Sequence, residues 1–139
     1  MRKREQLLWD AMKRNLPSSL WLQRVENLAG DGMPDVYVGA TGAWVELKAP
    51  SKIPVRASTP LLGAEGLRTS QLNWFLKNTV AEHAPPAFVL IRTIAGELLM
   101  IRGDVAADVN KMSLAELRVI AAEVDWPGIA RRLARGRAV

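Results

Sequence analysis

Gly32-Met33-Pro34-Asp35-Val36-Tyr37-Val38, a break at Gly39-Ala40-Thr41-Gly42, and Ala43-Trp44-Val45-Glu46-Leu47-Lys48 form the stretch from which the rest of the chain is read. Two β-prone runs flank a connection carrying two glycines, the pattern of a β-hairpin. With residues 39–42 as the loop, Val38 faces Ala43 and Asp35 faces Glu46. Side chains alternate along a strand, so Asp35, Tyr37, Trp44, Glu46 and Lys48 share one face. Val36, Val38, Ala43, Val45 and Leu47 share the other, which is apolar and belongs to a core.

Opposed residues in such a pair have Cβ atoms roughly 5 Å apart, where two like charges destabilise a sheet unless something compensates. A divalent cation compensates, and Mg²⁺ takes oxygen ligands from one or two carboxylates, water and phosphate. Lys48, two residues beyond Glu46 on the same face, can orient or deprotonate an attacking water, or neutralise charge developing on a phosphate. Were the three residues only an exposed ion-pair ladder, they would contribute at most about 1 kcal/mol.

These residues resemble the PD-(D/E)xK nuclease superfamily, and within it the small VRR-type branch with phage-like stand-alone forms. The resemblance rests on Gly32, Pro34, Asp35, Glu46, Leu47, Lys48, Ala49 and Pro50, with Gln71 and Trp74 on a later helix, and spans roughly residues 5–93. It implies a restriction-endonuclease-like α/β/α sandwich with a central mixed sheet. It implies Mg²⁺ or Mn²⁺ held by Asp35 and Glu46, with the Leu47 carbonyl as a further ligand and Lys48 assisting the water. It also implies an acid on the first helix, for which Glu5 is the candidate. At 100° per residue Leu8, Trp9, Met12 and Leu16 lie within about 60° of the direction of Glu5, which places that carboxylate in the apolar stripe. The other role open to Glu5 is to complement the positive end of the helix dipole. Glu26, on a strand expected over 20–27, is an alternative third carboxylate.

The remaining organisation follows from local signals. A first helix is expected over about 2–15, ending before Pro17. Pro50 to Arg68 reads as a long loop that contacts or closes over DNA, or as a spacer, with Lys52, Arg56 and Arg68 as DNA-binding candidates. Thr69 or Ser70 is expected to cap a helix reaching Glu82 whose buried stripe is Leu72, Phe75, Leu76, Thr79 and Val80. Gln71 at the margin of that stripe can bond a phosphate or a site carboxylate, or lie on the surface. Trp74 can contact DNA, contact a second subunit, or pack against the long loop. Strands are expected over 87–93 and 97–102, turning at Ala95-Gly96. Ser113 and Glu116 form a capping box for a helix presenting Leu114, Leu117, Ala121 and Val124, and Trp126-Pro127 opens a last, basic helix. The expectation is one domain over 1–139, a nuclease core over about 1–103 and a C-terminal helical extension over about 104–139.

The chain has 139 residues, a net charge of +5 and no cysteine, so disulfides and thiolate metal sites are excluded. Its pI is about 10.1, and the basic clusters Arg2-Lys3-Arg4 and Arg131, Arg132, Arg135 and Arg137 suit a polyanion. One histidine, His83, rules out histidine-rich zinc sites, and the absence of a nucleophile elbow or Walker loop removes Ser-His-Asp hydrolases and nucleotide cofactors. No apolar run reaches the length of a membrane span, so an intracellular, cytoplasmic protein is expected. The functional expectation is a metal-dependent DNA endonuclease, selective for branched DNA such as four-way junctions and acting as a homodimer. The alternatives are a nuclease for flaps, nicks or duplex ends within a larger assembly, and a catalytically silent DNA-binding scaffold.

Overall fold

The structure, a computed structural model, describes residues 3–25, 32–79 and 84–135. Glu26, Val80, Glu82, His83 and Arg137 therefore lie outside the described residues. The element order is α1 (Lys3–Asn15), β1 (Leu22–Arg24), β2 (Val36–Val38), β3 (Ala43–Lys48), α2 (Thr69–Asn78), β4 (Ala87–Arg92), β5 (Leu98–Arg102), α3 (Leu114–Ile120) and α4 (Trp126–Arg135). Short 3-10 segments occupy Ser18–Leu20, Gly63–Glu65 and Gly103–Lys111.

The five strands lie in the order β1-β2-β3-β4-β5. The hairpin has the register read from its letters: Val38 opposes Ala43, Tyr37 opposes Trp44 and Val36 opposes Val45. β3 and β4 are parallel, with Glu46 beside Val89 and Lys48 beside Ile91, and the other three pairings are antiparallel. A parallel pair needs a crossover connection. The chain between β3 and β4 provides one through the 50–68 segment and α2.

Alternation along the strands divides the apolar residues between two cores. On one face Val36, Val38, Val45, Leu47, Leu90 and Met100 pack with Leu8 and Met12 of α1 and with Ile129 and Leu133 of α4. On the other, Val89, Ile91, Leu99 and Ile101 pack with Phe75 of α2, Ala106, Val109 and Leu117. Complete burial of one such side chain is worth about 1.5–3 kcal/mol, so helices on both faces are required to cover the sheet. The result is an α/β fold with a mixed, open five-stranded sheet. Among the described residues no helix is long and apolar enough to cross a membrane.

The stripe expected around Glu5 is present: Leu8, Trp9, Met12 and Leu16 are all buried. The first strand is shorter than expected. Leu20 closes a 3-10 turn and Trp21 is left-handed at φ 57°, so pairing begins only at Leu22. Leu76 and Val124, expected to be buried, are 53% and 56% exposed. α2 buries a narrow stripe centred on Gln71 and Phe75, and α3 ends at Ile120, which takes Val124 off its face. The Ser113–Glu116 capping box forms in both directions.

The 50–68 segment is not uniformly a loop lying over the surface. Its second half is docked: Leu61, Leu62 and Leu67 are buried, Pro60 bridges Ser113, and Asn110 bonds both the N–H and the carbonyl of Leu67 at 2.7 and 2.8 Å. Periodicity could not reveal this, because the leucines are spaced for neither a helix nor a strand.

Candidate active site

The site forms where β2 stops and β3 continues. β2 pairs with β3 only as far as Val36 opposite Val45, which leaves the edge of β3 at Leu47 without a strand partner on that side among the described residues. Asp35 fills this position: its Oδ2 accepts the Leu47 N–H at 2.9 Å. The N–H and C=O of one strand residue point to the same edge, so the Leu47 carbonyl projects beside Asp35. Gly32 makes the approach possible. With φ of 81°, a Cβ on it would lie 2.2 Å from the Ser70 carbonyl oxygen. Only glycine lets the chain entering β2 run against the start of α2.

Glu46 and Lys48 alternate onto the α2 side of the sheet and are 2% and 7% exposed. Gln71, in the first turn of α2, joins them. Its amide donates to Glu46 Oε2 at 2.8 Å, while its Oε1 accepts from Lys48 Nζ at 3.2 Å and from the Arg68 N–H at 2.9 Å. The last bond makes Arg68, rather than Thr69 or Ser70, the residue at which α2 is capped. Lys48 Nζ is 3.6 Å from Glu46 Oε2. Among the described residues Glu46 Oε1 is the one buried side-chain polar atom with no hydrogen-bond partner.

Burial pushes the Glu46 carboxyl well above the usual carboxylate range, reinforced by the negative charges of Asp35 and Glu5 and by a carboxyl–carboxyl contact with Asp35 that favours the protonated form, and opposed by Lys48. Glu5 is thus electrostatically part of the site, yet no group of three or more His, Cys, Asp or Glu side chains placed to hold an ion occurs among the described residues. α1 packs against the Val45 and Leu47 face, and Glu46 points to the opposite one.

Arg24 was not anticipated. It sits on β1 opposite Val36, donates to the Asp35 carbonyl at 3.0 Å and lies 3.7 Å from Asp35 Oδ1. Its sequence signal was a single cation in a short strand, interpretable only once the β1–β2 register is known. Trp74 stacks edge-on to Trp44 and Phe75, with ring centroids 6.0 and 5.2 Å away. Tyr37 continues the row at 4.8 Å from Trp44. Trp74 therefore supports the face of β3 that carries Glu46 and Lys48. Lys52, Arg56 and Arg68 are exposed.

The chain matches no protein-family model, no curated protein and no solved structure.

The donor set suits a hard divalent cation. Asp35 and Glu46 offer carboxylate oxygens, one of them buried and without a partner, and the Leu47 carbonyl lies at the same edge. Oxygen ligands of this kind select Mg²⁺ or Mn²⁺ over softer metals.

Proposed function

We propose that the chain is a Mg²⁺- or Mn²⁺-dependent endodeoxyribonuclease with a restriction-endonuclease-like α/β/α sandwich, akin to the PD-(D/E)xK enzymes that its motif resembles. The observation that carries this reading is the buried, unpartnered Glu46 Oε1, facing a second carboxylate and flanked by a buried lysine. A core that excludes water does not retain facing carboxylates unless they are compensated, because an unsatisfied buried acceptor costs about 1–3 kcal/mol.

Asp35, Glu46 and the Leu47 carbonyl would hold the ion, with Glu5 adding negative charge from α1. A divalent cation at this position supplies a Lewis acid for a phosphoryl oxygen and lowers the pKa of water. The protein's own residues prepare the rest. Gln71 fixes both Glu46 and Lys48 through one amide, so the two side chains keep a single relative position. Lys48 Nζ carries three donors and uses one on Gln71. Its charge also faces Glu46 Oε2 at 3.6 Å, and a remaining donor would orient the attacking water and neutralise charge on the phosphate as the new P–O bond forms and the opposite one breaks. Arg24, bonded to the Asp35 carbonyl and 3.7 Å from its Oδ1, fixes Asp35 along the edge of β3. Lys52, Arg56 and Arg68 are exposed in the chain between Lys48 and Gln71 and would supply positive charge to a DNA backbone.

The test is cleavage of a labelled four-way junction, a flap, a nicked duplex and a continuous duplex in Mg²⁺ and Mn²⁺, beside the Lys48→Ala protein. Metal-dependent cutting lost in the variant supports the assignment. Binding of DNA that is equal in EDTA and in Mg²⁺, with no cutting of any substrate, would replace it with a silent scaffold.

A further inference from the structure

Three residues beyond Lys48 the chain leaves the body of the protein as an arm, residues 51–59, in which every residue is exposed except the half-buried Pro54. Both ends are clamped. Ser51 donates through its N–H and its hydroxyl to Glu65 Oε1 at 3.0 and 2.8 Å, and Glu65 in turn pairs with Arg4 of α1 at 3.2 Å. At the other end Pro60 bridges Ser113 and the Leu61 N–H bonds the Met112 carbonyl at 3.1 Å. The middle of the arm reads Lys52-Ile53-Pro54-Val55-Arg56. Val55 is 104% exposed, as open as an isolated residue, and Ile53 is 39% exposed. No Asp or Glu occurs from Leu47 to Ala64.

Scattered exposed valines are ordinary, but this one lies in a tethered, acid-free arm with a cation on either side. Apolar wedges of Ile, Pro and similar residues enter DNA between base steps, while flanking cations hold the neighbouring phosphates. Pro54 restricts the backbone beside Val55, the Thr59 N–H bonds the Arg56 carbonyl at 3.1 Å, and the two clamps order the base of the arm, so little conformational entropy remains to be lost on insertion. Val55 is seven residues from Lys48, at most about 25 Å of extended chain. A step touched by Val55 therefore lies within one helical turn, about 34 Å, of the phosphate at Lys48.

Resting on the nuclease reading above, we propose that Ile53-Pro54-Val55 is a wedge that inserts at an unstacked base step, with Lys52 and Arg56 on the flanking phosphates. It makes the site select branched or interrupted DNA over continuous duplex. At a junction or nick the backbone constraint on stacking is relaxed, so insertion costs less there than in a continuous helix.

The experiment compares the wild-type chain with the double variant Ile53→Thr, Val55→Thr, whose changes are exposed. Equal melting temperatures show that the fold is kept. Four-way junction, nicked and continuous duplexes carry 2-aminopurine near the cut. They are bound in Ca²⁺, which takes the same oxygen ligands, and cut in Mg²⁺. Expected is a fluorescence rise for the wild type on branched DNA that the variant abolishes. The wild-type preference for branched DNA should fall about tenfold in the variant, as loss of partial apolar burial implies, while cutting of continuous duplex stays within about twofold. A wild type that cuts DNA while the variant keeps the same preference and fluorescence overturns the wedge and leaves the nuclease standing. A wild type that neither binds nor cuts overturns both. A variant that changes only from dimer to monomer in sedimentation assigns the arm to a second copy of the chain and overturns the wedge.

Discussion

Replacing Glu46 with glutamine should make the metal-free protein more stable. The carboxyl is 2% exposed and one of its oxygens has no partner. Its burial and the charges of Asp35 and Glu5 oppose ionisation more than Lys48 favours it. Glutamine has the same shape, keeps an oxygen for the Gln71 amide and presents N–H donors toward Asp35. Removing an unsatisfied buried acceptor returns about 1–3 kcal/mol. At about 2.1 cal/mol/K per residue, a chain of 139 residues turns each kcal/mol into roughly 3–4 °C, so Glu46→Gln should melt about 3–10 °C higher in EDTA at pH 8. The pH dependence has a definite sign. Because the folded-state pKa lies above the unfolded one, the folded protein holds its proton longer. Wild-type stability then falls as pH rises from the ordinary carboxylate range through the folded pKa, and levels off above it. The variant lacks that fall, so the two proteins converge at acidic pH. Mg²⁺ should reverse the order: it raises the wild-type melting temperature most at high pH, where no proton has to be displaced, and leaves the variant unmoved. Thermal unfolding from pH 4 to 9, with EDTA or Mg²⁺, measures all of this. A variant less stable than the wild type throughout in EDTA would mean that the Lys48 ion pair outweighs burial. Equal Mg²⁺ stabilisation of both proteins would remove Glu46 from the metal site.

Lys48→Ala should reduce cleavage by about 10²–10⁴-fold, measured in single turnover with saturating Mg²⁺. Gln71→Ala leaves Lys48, Glu46 and the Arg68 N–H without their common partner; it should lower stability by about 1–3 kcal/mol in denaturant titration and reduce cleavage as well. Arg24→Ala removes the cation beside Asp35 and should weaken Mg²⁺ binding by about 10–100-fold in calorimetry, with the fold retained by circular dichroism. Ser113→Ala should cost about 0.5–2 kcal/mol without altering Mg²⁺ affinity. Hydrogen bonds from Ser113 hold the Glu116 carboxyl below its usual range, so the capping-box contribution is present above the ordinary glutamate pKa and disappears as pH falls through the lowered one.

Features set by near neighbours along the chain are legible in the letters alone. The Gly39-Ala40-Thr41-Gly42 turn and the period-two alternation specify the Val38–Ala43 register, and with it the shared face of Tyr37, Trp44, Glu46 and Lys48. The 3.6-residue period placed Glu5 in the stripe of Leu8 and Met12, and Ser113-x-x-Glu116 marked the start of α3. Which distant pieces complete these patterns is settled by the packed fold. It seated the Gln71 amide between Glu46 and Lys48, although the residue read as the margin of a helix stripe, because α2 packs its first turn against β3. It brought Arg24 to Asp35 through the β1–β2 register. It divided the 50–68 segment into an exposed arm and a docked half, since burial of Leu61, Leu62 and Leu67 depends on a surface built by β4, β5 and residues 103–117. It also returned α4 to the α1 face, where Ile129 and Leu133 complete the first core. The difference is physical: hydrogen-bond geometry and side-chain period act over a few residues and are written in spacing. Burial and charge compensation depend on surfaces made by segments tens of residues apart, which exist only once the chain has closed on itself.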